Sequence, residues 1–99
     1  MGRRDPIPCP VCGEPLHRDL WYDEIWGASH LVETVEECGP CAYMVHYSYG
    51  ATSLEIGRRT FGFYHDAPQK VKDRAFRRFD RYVATARRHH KKRWKKAKL

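Results

Sequence analysis

Cys9-Pro10-Val11-Cys12-Gly13 and Cys38-Gly39-Pro40-Cys41 decide how this chain is read, because two CxxC pairs 25 residues apart can bring four thiolates to one point. Each CxxC turn presents both sulfurs on one side, so folding back the intervening segment assembles four soft ligands in the tetrahedral arrangement that suits zinc. Pro10 fixes the backbone after the first ligand, and Gly13 accepts the positive φ needed where the chain reverses. With Cys9, Cys12, Cys38 and Cys41 filling all four positions, none is left for water, so one Zn²⁺ is expected here in a structural role. An iron site with the same four ligands fits the spacing equally well. Two other readings fit worse. Disulfides belong to oxidising compartments, and nothing at the N-terminus looks like a secretion signal. A redox role for Cys-Gly-Pro-Cys needs a helix N-terminus at the first cysteine, whereas a Tyr-rich, strand-like segment follows Cys41.

Outward from the cysteines, the chain divides by charge. Residues 1–67 hold five Lys/Arg against ten Asp/Glu, net −5, and residues 68–99 hold fourteen against two, net +12. Four thiolates and one divalent ion would take the first part to −7. The division marks two units, a β domain over 1–67 and a basic helix over 68–99. At 99 residues a chain builds only a small core, so a staple such as a metal is expected. No window approaches the roughly 18 apolar residues of a membrane span, and the chain is expected to be cytoplasmic, with no membrane partner.

Residues 1–8, with two prolines, are expected to be a short arm without regular structure of its own. Leu16–Trp26 mixes apolar and acidic residues and is expected to be an irregular strand or loop, closed by a turn at Gly27-Ala28-Ser29. His30–Glu37, with Val32, Thr34 and Val35, is predicted to be a strand that delivers the second cysteine pair. A further strand over Tyr43–Tyr49 would place Tyr43, Val45, Tyr47 and Tyr49 on one face. Thr52–Ile56 and Thr60–Tyr64 read as two strands joined by a hairpin at Gly57. Asp66 and Gln69 have the spacing of a capping box with Pro68 in the first helical turn, so a helix is predicted from there. At 100° per residue, Val71, Ala75, Phe76, Phe79, Tyr82, Val83, Ala86 and Trp94 fall within an arc of about 140°, the width of a core-facing stripe. Residues 87–98 are so dense in Lys and Arg that this end is expected to fray in the free protein.

The first cysteine pair has the CPxCG form of a zinc knuckle, and over residues 9–50 the chain resembles the zinc-ribbon superfamily. The second pair differs, with Ala42 following Cys41 in place of glycine. The resemblance implies a small antiparallel zinc-ribbon sheet, and with the helix read from residue 68 onwards the fold is expected to be α+β, that sheet followed by a long C-terminal amphipathic basic helix.

No HExxH, GxSxG or glycine-rich phosphate loop is present, and His17, His30, His46 and His65 are scattered, so the chain is expected not to be an enzyme. A net +12 on some thirty residues is the electrostatic signature of a phosphate-binding surface, and DNA or RNA is the expected partner. The expected contacts are Arg74, Arg77, Arg78, Arg81, Arg87, Arg88, Lys91, Lys92, Arg93, Lys95 and Lys96, with Trp94 either stacking on a base or closing the apolar stripe. The alternative is a protein-binding adaptor or inhibitor that uses the acidic, aromatic surface around Trp21, Tyr22 and Trp26.

Overall fold

The computed structural model describes the backbone of residues 7–98 and the side chains of residues 7–24 and 26–92. Five strands form one antiparallel sheet in chain order: β1 (His17–Ile25), β2 (Ala28–Cys38), β3 (Tyr43–Ser48), β4 (Ala51–Ile56) and β5 (Arg59–Tyr64). A single helix, α1 (Gln69–Lys98), follows. The fold is therefore α+β, a small antiparallel sheet followed by one long C-terminal helix. The expectation of an irregular N-terminal arm falls largely on residues 1–6, outside the described residues.

Three of the four strand connections are two-residue hairpin loops. Gly57-Arg58 joins β4 to β5 with positive φ only at Gly57 (60°), as the sequence predicts. Trp26-Gly27 joins β1 to β2 and Tyr49-Gly50 joins β3 to β4, each with positive φ at both positions. That is the backbone pattern whose twist matches the flanking strands. Tyr49 consequently leaves the strand face on which period two places it, and it stands 67% exposed. The fourth connection, Gly39–Cys41, is one turn of 3₁₀ helix.

Of the irregular strand or loop expected over Leu16–Trp26, the strand is what forms: β1, paired with β2 from His17↔Glu37 to Ile25↔Ala28. Its register shifts between Trp21 and Tyr22, where Val32 of β2 is the extra residue. The irregular hydropathy has a physical cause. Beyond Glu33↔Ser48 the strand β3 ends, so Tyr22–Leu31 is a bare two-stranded arm with no core to impose alternation.

The helix lies across β4 and β5. On the sheet face beneath it, rows run Cys38↔Tyr43↔Ile56↔Arg59, Glu36↔Val45↔Leu54↔Phe61 and Thr34↔Tyr47↔Thr52↔Phe63. Phe79 meets Tyr43 with ring centroids 5.6 Å apart, Tyr82 stacks on Phe61 at 5.7 Å, and Phe76 tilts against Phe63 at 5.3 Å. The apolar arc of the helix is thus seated over Ala75–Ala86, with Ala75, Phe79 and Val83 buried. Val71 does not join it and remains 45% exposed, because the first helical turn borders a shallow cleft beside Ala67 and Phe63. Trp94, the last member of the arc, lies outside the described side chains.

The predicted capping box does not form. Gln69 donates to Asp73 Oδ1 at 2.9 Å, one turn along the helix, and the Pro68 carbonyl accepts the first helical N–H groups, those of Val71 and Lys72. Asp66 sits in the preceding turn, where the Ala67 N–H reaches the Tyr64 carbonyl, and makes no side-chain cap among the described residues.

Candidate metal centre

The first knuckle is built by local hydrogen bonds. The Gly13 N–H donates to the Cys9 carbonyl at 2.8 Å, the Cys9 N–H to the Glu14 carbonyl at 2.7 Å, and the Val11 N–H to Cys9 Sγ at 3.4 Å. Gly13 has the positive φ (83°) that its position in the knuckle demands. In the second knuckle Ala42 takes the corresponding left-handed conformation (φ 51°, ψ 41°), and its N–H bonds the Gly39 carbonyl at 3.0 Å. An alanine there bears a backbone cost of about 1 kcal/mol that glycine would not, so the departure from the knuckle pattern changes the energy of the turn and not its path.

The two knuckles bring all four sulfurs within 4.8 Å of one another, and no disulfide joins any of them. Cys12 Sγ and Cys38 Sγ are 3.8 Å apart, close to the edge of roughly 3.8 Å expected for a regular tetrahedron with metal–sulfur bonds of about 2.3 Å. Cys9 and Cys38 are buried, Cys12 and Cys41 half-buried. The donor set fits a soft or borderline tetrahedral ion, and all four ligand positions come from the protein. After Cys41 the chain enters β3 and not a helix, which removes the setting that a redox Cys-Gly-Pro-Cys needs.

The site and the hydrophobic core are one object. Cys9, Val11, Cys38, Leu54, Ile56, Phe79 and Val83 form a single buried cluster, with Cys12 and Cys41 packed on its margin. Burial has a direct chemical consequence: it pushes the Cys38 and Cys41 thiols above their ordinary pKa of 9.0, Cys41 well above, while the Glu14 backbone N–H holds Cys12 below it. The raised Cys38 and Cys41 thiols therefore favour keeping their protons, which a metal would have to displace. Affinity for a divalent metal is expected to rise by about a hundredfold or more per pH unit if at least two protons leave. Competition against a chromophoric chelator from mildly acidic to mildly basic pH measures this, and an affinity independent of pH would contradict ligation by thiolates.

The far end of α1 passes beside the cysteines. Arg87, His90 and Lys91 line a cleft of 450 Å³ with the first knuckle, and His90 lines a second of 440 Å³ bounded by Cys12, Cys38 and Cys41. His90 is half-buried. Its helical angle falls in the middle of the apolar arc, the signal that places it here. Four thiolates around a divalent ion would carry a net charge of −2, which Arg87 and Lys91, lining the cleft, could offset.

The other expected contact residues with described side chains, Arg74, Arg77, Arg78, Arg81, Arg87, Arg88, Lys91 and Lys92, are all exposed. Helical geometry puts Arg74, Arg77, Arg78, Arg81, Arg88 and Lys92 on one ridge opposite the buried arc, about 27 Å long. Arg87 and Lys91 sit on the flank beside the first knuckle. None of the eight forms an ion pair among the described residues; the pairs present are His17–Asp19, Arg18–Glu36 and His46–Glu33, all within the sheet. Arg93, Trp94, Lys95 and Lys96 lie outside the described side chains. No described helix is long and apolar enough to cross a membrane.

Comparison of the chain with protein-family models, with curated proteins and with solved structures finds no match.

Proposed function

We propose that this chain is a non-enzymatic nucleic-acid-binding module. One structural zinc ion at Cys9, Cys12, Cys38 and Cys41 holds a zinc-ribbon-like sheet, and the sheet presents the Arg/Lys face of α1 to the phosphate backbone of DNA or RNA. The observation that supports this reading is the cationic ridge of α1, a row of exposed charges with no carboxylate partner among the described residues. Paired charges would contribute to the fold, whereas unpaired ones on a rigid element repel each other and cost stability unless a polyanion is bound. Zinc suits the four-thiolate set, and with no position left for water it has no hydrolytic role. The test is the salt dependence of binding to short duplex and single-stranded probes. Neutralising about six phosphates gives a log–log slope near −5 on duplex DNA. An absence of binding at low salt would overturn the reading.

A second reading, a protein-binding adaptor, is favoured by the bare β1–β2 arm, on which Trp21, Tyr22 and Trp26 are 45%, 58% and 100% exposed.

A further inference from the structure

The arm is the one part of the described sheet that the core does not explain. Its paired rows beyond β3, from Tyr22↔Leu31 to Ile25↔Ala28, extend it by roughly 14 Å. Tyr22, Trp26 and Leu31 are substantially exposed along it, and Leu20 and Trp21 at its base, Trp21 on the face opposite Leu20 and Tyr22. At its tip Trp26 occupies the first position of a two-residue turn with φ 54°, where Asn, Asp or Gly is normally found, and its side chain touches nothing. Neither turn propensity nor packing accounts for a tryptophan there. The exposed apolar surface on one arm is on the order of 500 Å², given what such side chains can bury.

What covers this surface follows from charge. The arm itself, Tyr22–Leu31, holds Asp23 and Glu24 among its aromatics and no lysine or arginine, with the Asp23 carboxylate accepting the Tyr49 hydroxyl, so the surface repels phosphate and suits arginine and lysine. Guanidinium groups also stack favourably on Trp and Tyr faces. The matching surface in this molecule is α1, with fourteen Lys/Arg against two Asp over Gln69–Lys98. Within one chain the two surfaces stand far apart. From the arm at Ala28 to the cysteines at Cys38, β2 spans about 33 Å, and residues 87–91 of α1 lie at the cysteine end. The molecule, 59 Å long, thus has an acidic aromatic arm at one end and a basic helix end at the other.

We infer that the arm docks on the basic end of α1 in a second copy of this chain, two copies pairing antiparallel about a two-fold axis. That symmetry satisfies both arms at once, closes the assembly and buries the arm surface twice, which reaches the roughly 1,000 Å² that a specific interface needs. The basic end of α1 is also a surface that the proposed function gives to phosphate, so nucleic acid competes with the arm and the pairing is tested on chain freed of it.

The experiment uses the metal-loaded full chain, freed of nucleic acid by nuclease and high salt, in sedimentation equilibrium at about 50 and about 500 mM salt. At low salt the expected species has twice the 11.7 kDa chain mass, shifting towards monomer as salt screens the pairing. Trp26→Gly, which relieves the turn, keeps the fold but weakens the dimer at least tenfold. The charge pair is tested by exchange. Asp23→Lys/Glu24→Lys and Arg87→Glu/Arg88→Glu chains should each be monomeric alone and should form a heterodimer when mixed, because both arm-to-helix contacts then unite opposite charges. A monomer at low salt up to about 100 µM would overturn the assignment, as would a dimer insensitive to Trp26→Gly or a mixture that stays monomeric. A monomer whose tryptophan fluorescence responds to an arginine-rich peptide would overturn it in favour of a foreign basic partner.

Discussion

Cys38→Ser is expected to abolish high-affinity metal binding and, with it, cooperative folding. The magnitude follows from what a metal at the four cysteines would do in this architecture. A structural zinc in a four-cysteine site contributes on the order of 10 kcal/mol, comparable to the whole stability of a small domain. The alternative source of stability is slight: beyond Cys9 and Cys38 the main buried cluster has only Val11, Leu54, Ile56, Phe79 and Val83. Losing the metal also leaves Cys9, Cys12 and Cys41 as neutral or mutually repelling sulfurs within one core. Because a serine in place of Cys38 is itself a buried polar change, the parallel experiment strips metal from the unaltered chain with a chelator. Far-UV circular dichroism and the melting curve should change together, and both should recover when zinc is restored. A stripped chain that melts like the loaded one would show that the cysteines do not hold the fold.

The triple substitution Arg74→Glu, Arg77→Glu and Arg81→Glu is expected to lower nucleic-acid affinity by about a hundredfold or more at physiological salt, and to flatten the salt slope by about three units. All three side chains are exposed on the ridge, so metal content and melting temperature should hold while binding falls. Glu24→Lys on the arm, distant from the ridge, should leave binding no weaker. If the triple variant binds as tightly as the parent, the ridge is a solvated face and the function lies elsewhere.

The parts of this structure legible in the sequence are those where one side of an element meets the core. The strands β3, β4 and β5 alternate because Tyr43, Val45, Leu54, Ile56, Phe61 and Phe63 all face α1, and the helical arc from Ala75 to Ala86 is the complementary stripe. The cysteine pairs are legible because ligation demands fixed residue types at fixed spacing. Legibility ends where these constraints lapse. The strand β1 beyond Trp21 pairs without packing, so nothing in its hydropathy distinguishes it from a loop. The capping box at Asp66 and Gln69 matches a local pattern, but the Gln69–Asp73 pair one turn apart is an equally local competitor that the pattern does not weigh. His90 is hidden by composition: a histidine in a run of lysines reads as surface, although its angle puts it beside the cysteines. That the acidic arm and the basic helix end stand at opposite ends of the molecule is a property of topology, which charge counting alone does not supply.

The most direct test of the proposed function is to purify the chain from cells at low salt without nuclease and record its native mass spectrum together with the nucleic acid that accompanies it. The expected result is one zinc per chain and bound nucleic acid that is released as salt is raised. A zinc-loaded chain that emerges free of nucleic acid at low salt would contradict it.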